Sequence, residues 1–249
     1  MITTSNSKKY TTKGTYKRGI FISGTDTSVG KTYVTCCIAY MLRSRGINVG
    51  VMKPFATSTD IYSPKFRSED TANLAKAANI QDKDDEINPT FFKIAASPFT
   101  ASIITNEKVN MKDNLDAFSR LKEKHDFILV EGIGGIMVPL TSKHVLADFV
   151  KLTNLPVIIV ASVKLGSINH TLLTVAACQK YSLPISGIVI NRMPSKPNDV
   201  QRLTPTIIRK LTNLPIISIL PEECNPNFES GSYYFENWSE LHASPVKSK

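Results

Sequence analysis

The sequence predicts an α/β fold in which a mostly parallel, doubly wound sheet carries helices on both of its faces. Short, continuously apolar segments recur along the chain, as is typical of strands buried on both sides. Between them lie longer segments whose apolar residues repeat at helical spacing. The predicted strands are residues 19–23, 48–52, 127–131, 157–162, 185–191 and 216–220. The predicted helices are residues 32–45, 69–78, 101–106, 114–124, 145–153, 168–181 and 199–211.

Length and composition favour one globular domain. The chain has 249 residues, of which 42% are hydrophobic and 20% are charged, so it can bury a large core. It lacks the run of ~20 apolar residues that crosses a membrane, and its first residues lack the apolar segment of a secretory signal. We therefore expect a single domain over residues 18–241, flexible tails at residues 1–17 and 242–249, and no membrane partner.

The net charge and the cysteines limit the binding partners and the cellular location that we expect of this protein. The net charge of +9 comes partly from the first 18 residues, which hold five basic residues and no acid. A nucleic-acid surface would need a basic stripe interleaved with aromatic residues, which the sequence lacks, so we expect no nucleic-acid partner. The four cysteines, Cys36, Cys37, Cys178 and Cys224, form no Cys-x-x-Cys pair. We expect a cytoplasmic protein without disulfides or structural zinc.

The loop between the first predicted strand and helix has the composition of a phosphate-binding loop. Residues 24–32 read GTDTSVGKT. Backbone N–H groups in such a loop converge with the positive end of the following helix, which favours bound phosphate. Lys31 can reach the outer phosphates of a nucleotide, and the Thr32 hydroxyl can coordinate Mg²⁺. The motif is a variant, because Thr25 stands where the strict pattern has its first glycine. A structural turn is the alternative to this nucleotide site.

Two charged residues stand where predicted strands end. Lys53 follows the second strand and precedes Pro54, which holds it in extended geometry and projects its ammonium into the loop layer. Glu131 ends another strand and precedes the glycine-rich residues 132–135, a combination that suits Mg²⁺ and closely approaching phosphate. Ligands of such folds gather at the carboxyl ends of the strands. The alternatives are a surface lysine and a solvated turn glutamate.

Three further positions fit the same edge of the sheet. Asp70 is a metal ligand or a charge in the first turn of a helix, and the sequence does not rank it against Glu69. Residues 166–169 open a helix, where they bind an anion or provide an ordinary serine cap. Asn191 ends a strand, where its amide reads the edge of a base or caps a turn.

These segments, taken together, resemble the dethiobiotin synthases, ATP-dependent enzymes of biotin synthesis. The resemblance covers roughly residues 19–223. The matching segments are GTDTSVGKT (24–32), KPFAT (53–57), Asp70, SPFTAS (97–102), VEGIGGIMVPL (130–140), LGSINHTLLT (165–174), GIVIN (187–191) and ILPEE (219–223). The resemblance implies a P-loop NTPase-like subunit that forms homodimers. It also implies a cyclo-ligase that converts 7,8-diaminononanoate and CO₂ to dethiobiotin through a carbamate and a carbamic-phosphoric anhydride, using Mg²⁺ and ATP and releasing ADP and phosphate.

The resemblance also implies roles for individual residues. The catalytic residues would be Lys53, Lys31 and Thr27, and the Mg²⁺ ligands Thr32, Asp70 and Glu131. The nucleotide would contact Ser28, Val29, Gly30, Lys31, Thr32, Tyr33, Asp70, Glu131, Gly132, Ile133, Gly134, Asn191, Arg192, Pro221, Glu222 and Glu223. The diamine would contact Thr27, Lys53, Thr57, Gly166, Ser167, Ile168 and Asn169. The last four would come from the neighbouring subunit and bind the substrate carboxylate.

Four positions depart from the family pattern. Ser28 stands where many members have Glu, and Phe99 where His is usual. Ile133 replaces a usual Ala and Ser58 a usual Gly. None of these changes removes a cation or a metal ligand, so we expect activity to be retained, whereas nucleotide preference and substrate range stay open.

Two other classes share parts of this pattern. An ATP-dependent amide ligase needs an ammonia source, usually a glutaminase domain, and the chain is too short to hold one. A switch ATPase of the partition or septum-positioning class carries an additional Lys early in the phosphate loop, where this chain has Gly24, Thr25 and Asp26.

Overall fold

A computed structural model describes residues 19–223 and 227–235. The strands are β1 Gly19–Gly24, β2 Val49–Met52, β3 Phe55–Thr57, β4 Thr90–Phe92, β5 Phe127–Gly135, β6 Val157–Ala161, β7 Ile185–Met193 and β8 Ile216–Pro221. The helices are α1 Lys31–Ser44, α2 Glu69–Ala78, α3 Asp84–Ile87, α4 Pro98–Thr105, α5 Met111–Lys124, α6 Leu146–Thr153, α7 Ser167–Lys180, α8 Asp199–Thr212 and α9 Phe228–Ser232, followed by a 3₁₀ turn at Tyr233–Phe235.

The main sheet has six strands in the order β2-β5-β1-β6-β7-β8, and neighbouring strands run parallel. The order reverses direction at β1, as in a doubly wound sheet. The predicted fold class is therefore confirmed. Each of the six predicted strands is present, and the predicted helix over residues 69–78 has the same bounds as α2.

Helices cover both faces of the sheet, so the core has two layers. In β1, Ile20 and Ile22 face a cluster that includes α1 and α2, whereas Phe21 faces a cluster that includes α5, α6 and α7. Successive side chains of a strand point to opposite faces, which accounts for this alternation. Every residue of β1 is buried, as the continuous apolar pattern predicts.

Some elements differ from the sequence-based expectation. A second sheet pairs β3 with β4 in parallel, and neither strand was predicted. Helix α4 begins at Pro98 rather than at residue 101, because the Ser97 side chain accepts a hydrogen bond from the Thr100 N–H and Pro98 occupies the first turn. The strand expected to end at Glu131 continues through the glycines to Gly135.

The expected tails at residues 1–17 and 242–249, and Cys224, lie outside the described residues. Within the described ranges, Cys36, Cys37 and Cys178 are buried, unpaired thiols. Across those same ranges, the helices are all too short or too polar to cross a bilayer.

Candidate active site

The carboxyl ends of the parallel strands bring the candidate residues to one edge of the sheet. The β1–β5 register places Ile22 opposite Glu131, and the β2–β5 register places Met52 opposite Val130. Lys53, which follows Met52, is therefore level with Glu131 on the adjacent strand. The loop after β1 leads to α1 at the same edge, as predicted.

The phosphate loop has the backbone that an anion site requires. Gly30 precedes α1 with φ 90° and ψ 34°, a left-handed conformation that favours glycine. A Cβ on Gly30 would lie 2.0 Å from Asn191 Nδ2, so the close approach also requires glycine. Asn191 Nδ2 donates a hydrogen bond to the Val29 carbonyl at 2.9 Å. No side chain in the described structure caps the start of α1, which leaves its first N–H groups for an anion.

Lys31 extends back over the phosphate loop. Its Nζ donates to the Asp26 carbonyl at 2.9 Å, and the residue is only 6% exposed. Burial, followed by repulsion from the Lys53 ammonium, lowers the pKa of Lys31 to about 8. A phosphate beside this amine would favour its charged form.

Thr32, Lys53 and two carboxylates form one cluster. Thr32 Oγ1 lies 2.9 Å from Asp70 Oδ1 and 2.8 Å from Glu131 Oε1. Lys53 Nζ lies 2.8 Å from Asp70 Oδ2 and 2.5 Å from Glu131 Oε1. The structure thus selects Asp70, because its carboxylate enters the cluster while Glu69 is exposed at the start of α2. Lys53 is buried, contrary to the alternative of a surface lysine.

Burial and ion pairing set the charges of this cluster. Burial raises the pKa of Glu131, which is fully enclosed, against the opposing effect of Lys53. The Lys53 ammonium lowers the pKa of Asp70. Burial alone would lower the pKa of Lys53, but the carboxylates of Glu131 and Asp70 outweigh it and raise that pKa above its usual range. We therefore treat Lys53 as the cation that balances the buried carboxylate.

The donor set fits a Mg²⁺ ion. Glu131 Oε2 is buried and has no hydrogen-bond partner among the described residues. With Asp70 and the Thr32 hydroxyl it offers only oxygen atoms, which Mg²⁺ prefers. The described ranges hold no group of three or more His, Cys, Asp and Glu residues that could bind a metal. Mg²⁺ commonly takes one or two carboxylates together with substrate phosphates, so two acids suffice here.

A second helix start lies at the beginning of α7. Gly166 precedes it with φ 92°, and Gly166 and Asn169 are exposed. Both hydrogen-bond donors of Ser167 already have partners within the chain. Its hydroxyl donates to the Ser162 carbonyl, and its N–H donates to the Lys164 carbonyl at 3.0 Å. The predicted anion contact of Ser167 therefore has less support than those of Ile168 and Asn169.

The ends of β7 and β8 lie beside the phosphate loop. Asn191 Oδ1 is buried and finds no hydrogen-bond partner within the described chain. Arg192 follows it with φ 59°. Pro221 pairs in register with Met193, whose carbonyl accepts the N–H of Glu222 at 2.8 Å.

The remaining predicted residues surround this centre. The pKa of Tyr33 is raised mainly by burial and further by the nearby Cys37 and Glu223. The Tyr33 hydroxyl donates to the Asn227 carbonyl at 3.4 Å. The Thr27 N–H donates to Asp26 Oδ1 at 2.7 Å, and Ser28 has φ 57°.

The other predicted contacts lie on strands. Thr57 ends β3 and is half-buried. Gly132, Ile133 and Gly134 lie within β5, where a Cβ on Gly132 would come within 3.0 Å of the Phe21 ring. Glycine at residue 132 thus serves packing as well as any approach to phosphate.

Asn88 was missed by the sequence analysis. Its side chain donates to the Lys53 carbonyl at 2.6 Å. The Asn88-Pro89 pair marks the end of a helix, but nothing in that signal points to Lys53.

The loop between a buried strand and a helix start, with a lysine and oxygen ligands beside it, defines a P-loop nucleotide-binding protein. A family model described as an AAA domain matches residues 18–227. The ATP-dependent dethiobiotin synthetase BioD of Nitrosopumilus maritimus (strain SCM1) is 41% identical over 204 residues, covering 82% of this chain and 89% of that protein. The protein of the same name from Bacillus subtilis (strain 168) is 36% identical over 213 residues, covering 86% and 91%. The chain belongs to the dethiobiotin synthetase family, which confirms the resemblance read from its motifs.

Solved structures agree on the fold. A ParA family ATPase from Chlorobium tepidum TLS superposes with a TM-score of 0.54 at 19% identity, over 90% of this chain and 99% of that one. The MinC:MinD cell division protein complex of Aquifex aeolicus gives 0.56 at 14% identity, over 93% and 98%. At these identities the likeness establishes the P-loop NTPase-like architecture alone.

Proposed function

We propose that this chain joins 7,8-diaminononanoate and CO₂ into dethiobiotin at the expense of ATP. One observation carries the proposal: in a member of this family, Lys53, Thr32, Asp70 and Glu131 converge beside a phosphate loop at one sheet edge. The reaction requires a phosphoryl group, a cation to neutralise it and a dry site. This edge offers an uncapped helix start for the phosphates, the Lys53 ammonium, and enclosure of Lys53 and Glu131 from solvent.

The chemistry balances in three steps. An amine of the diamine takes up CO₂ and loses a proton, which gives a carbamate. A carbamate oxygen attacks the γ-phosphorus of ATP and expels ADP, which gives the carbamic-phosphoric anhydride. The second amine attacks the carbamate carbon, phosphate leaves with the bridging oxygen, and the cyclic urea closes with loss of a proton.

The two lysines would neutralise negative charge at different places in the site. Lys31 lies over the phosphate loop, where it would contact the outer phosphates, and bound phosphate would favour its charged form further. Lys53 lies between that loop and the proposed substrate, where it neutralises charge on the carbamate and the transferred phosphoryl group. A fixed cation in a water-excluded site lowers such a barrier by about 3 kcal/mol or more.

Thr32, Asp70 and Glu131 would hold Mg²⁺, directly or through water. The bound ion would neutralise phosphate charge and orient the triphosphate. The unpartnered Glu131 Oε2 supports this assignment, since a buried carboxylate oxygen without a donor is costly unless a cation meets it.

The nucleotide base would lie beside Asn191, Arg192 and residues 221–223, with Tyr33 and the glycine-rich end of β5 completing the site. The buried Asn191 Oδ1 is an acceptor, which matches the exocyclic amine of adenine. Backbone groups of residues 28–32 would bind the phosphates.

The diamine would lie against Thr27, Thr57 and Lys53. A cleft of about 260 Å³ separates the phosphate loop from α7, and its lining includes Asp26, Met137 and Leu173. Thr27, Thr57 and Lys53 are not part of this lining, so we assign the cleft to the carbon chain of the substrate, which its mixed polar and aliphatic lining suits.

The second subunit would complete the site. Leu165, just before α7, is 99% exposed, and Met137 and Leu173, which line the cleft, are each more than 40% exposed. A second copy of the chain would bury this apolar surface. It would also bring the N–H groups of Ile168 and Asn169, with Gly166, toward the carboxylate of the substrate in its neighbour. The buried thiols are compatible with the cytoplasmic location that we propose.

The test is product formation by the purified protein. With diamine, bicarbonate, Mg²⁺ and ATP, we expect dethiobiotin by mass spectrometry and one phosphate for each product. The control omits the diamine, and phosphate release should then stop. A folded, ATP-binding protein that yields no dethiobiotin would reject the proposal.

A further inference from the structure

We propose that Asn88 is a positioning residue that holds the Lys53 backbone so that its ammonium stays between the two carboxylates. Asn88 is fully buried, although a buried amide is costly unless it is hydrogen-bonded. Its Nδ2 donates to the Lys53 carbonyl at 2.6 Å and to the Thr90 carbonyl at 3.1 Å. Both partners are acceptors, so the amide nitrogen must be the atom that faces them.

Lys53 needs this support because it lies between two sheets. Strand β2 ends at Met52 in the main sheet, and β3 begins at Phe55 in the small sheet. Lys53 therefore belongs to neither ladder, and Pro54 has no N–H to offer. The C-terminal end of α3 replaces the missing partners: the Lys53 N–H donates to the carbonyl of Ile87, the last residue of α3, at 2.8 Å, and Asn88, which follows it, satisfies the Lys53 carbonyl.

Asn88 is itself fixed from two sides. Its N–H donates to the Asp84 carbonyl at 2.6 Å. Its carbonyl accepts from Arg67 Nη2 at 2.5 Å, and Arg67 Nε pairs with Asp84 at 2.5 Å. The backbone of Lys53 is thus tied to a braced segment whose residues are not among the proposed contacts of ATP or the diamine.

The positioning matters because the contacts of the ammonium are short. Lys53 Nζ lies 2.5 Å from Glu131 and 2.8 Å from Asp70. A displacement of about 1 Å at a reacting group can cost on the order of a hundredfold in rate. The inference rests on the role proposed above for Lys53.

The chain provides a matched control in Asn114. Asn114 is also fully buried, and its Nδ2 likewise donates to two oxygens, Thr90 Oγ1 at 2.7 Å and the Asn110 carbonyl at 2.8 Å. Its Oδ1, like that of Asn88, has no partner within the described residues. None of its hydrogen bonds in this part of the chain reaches Lys53. Loss of a buried amide is therefore common to both sites, whereas contact with Lys53 is specific to Asn88.

The experiment compares Asn88→Ser and Asn88→Asp with Asn114→Ser and Asn114→Asp. We expect similar losses of thermal stability at both sites. We expect kcat to fall at least tenfold only in the Asn88 variants, with KM for ATP within about twofold of wild type. A second readout is the rate at which an N-hydroxysuccinimide ester acylates Lys53, measured by peptide mass spectrometry. This rate should rise several-fold in Asn88→Ser and stay unchanged in Asn114→Ser.

Equal kcat values in folded Asn88→Ser and Asn114→Ser, with unchanged Lys53 acylation, would overturn the inference. If the Asn88 variants fail to fold, Arg67→Gln loosens the same segment from a half-buried position, and unchanged kcat and acylation there would overturn it equally. Lys53→Met distinguishes an error in the proposed role of Lys53 from an error in the positioning role of Asn88. If that variant turns over normally, the role of Lys53 is wrong; if it is inactive while the Asn88 and Arg67 variants are not, only the positioning role is wrong.

Discussion

Replacing Lys53 by Met should make the stability of the protein depend on divalent cations. Lys53 is the ammonium that meets Glu131, a fully buried carboxylate. Removing one partner of a buried ion pair typically costs about 3–5 kcal/mol, because the other charge is left uncompensated. Asp70 is 42% exposed in its side chain, so solvent screens its share and most of the loss comes from Glu131.

A metal ion can restore part of this loss. In the wild-type protein an incoming cation competes with Lys53 Nζ for Glu131 Oε1, whereas in the variant that oxygen is available. Each tenfold gain in metal affinity adds ~1.4 kcal/mol of stabilisation at a saturating concentration. We therefore expect Mg²⁺ to stabilise Lys53→Met more than wild type by at least that amount.

Urea denaturation at pH 7.5, with and without Mg²⁺ and in the absence of nucleotide, measures both quantities. The matched control is Lys31→Met, since Lys31 is equally buried but bonds to the Asp26 carbonyl and forms no ion pair within the described residues. Because this variant also removes the cost of burying the Lys31 ammonium, it should be at least as stable as wild type, and its response to Mg²⁺ should match that of wild type. Equal stability of Lys53→Met and wild type, with the same Mg²⁺ response, would refute the reasoning.

Three further results are expected. Since the pKa of Lys31 is lowered from 10.5 to about 8, the unfolded chain binds more protons between these values, and the stability of the nucleotide-free protein should rise with pH across that window. In urea titrations Lys31→Met should flatten this rise. The same variant should lower turnover about a hundredfold or more. Gly30→Ala should abolish nucleotide binding in calorimetry, because the new Cβ would clash with Asn191 and residue 30 has a φ of 90°, which favours glycine. Wild-type affinity would contradict the loop geometry. Leu165→Asp should shift the proposed dimer to monomers in analytical ultracentrifugation and raise KM for the diamine, and an unchanged dimer would remove this surface from the proposed interface.

The sequence was most informative about the phosphate loop, whose residues are neighbours along the chain. A glycine, lysine and threonine between a strand and a helix predict a phosphate loop, because these residue types and the strand–helix order are read from adjacent positions, although Asn191 also holds the loop. Lys53 and Glu131 could be assigned to one edge because parallel strands place their carboxyl ends together. Their ion pair could not be predicted, since it depends on which strands are neighbours, and β2 and β5 lie far apart in the chain.

The missed features are those that only tertiary structure reveals. Strands β3 and β4 have three residues each, too few to show a periodic pattern. Asp70 could not be separated from Glu69 by sequence, because the rotation of α2 decides which carboxylate meets Lys53. Asn88 looks like an ordinary helix end, and its bond to Lys53 spans 35 positions of sequence.

Transfer of oxygen from bicarbonate to phosphate tests the central claim most directly. In a short incubation with ¹⁸O-labelled bicarbonate, diamine, Mg²⁺ and ATP, the carbamate oxygen that attacks ATP should leave with the phosphate. We expect each released phosphate to carry a single labelled oxygen, in step with dethiobiotin formation. Unlabelled phosphate, released whether or not the diamine is present, would contradict the account, because water rather than a carbamate would then be the nucleophile.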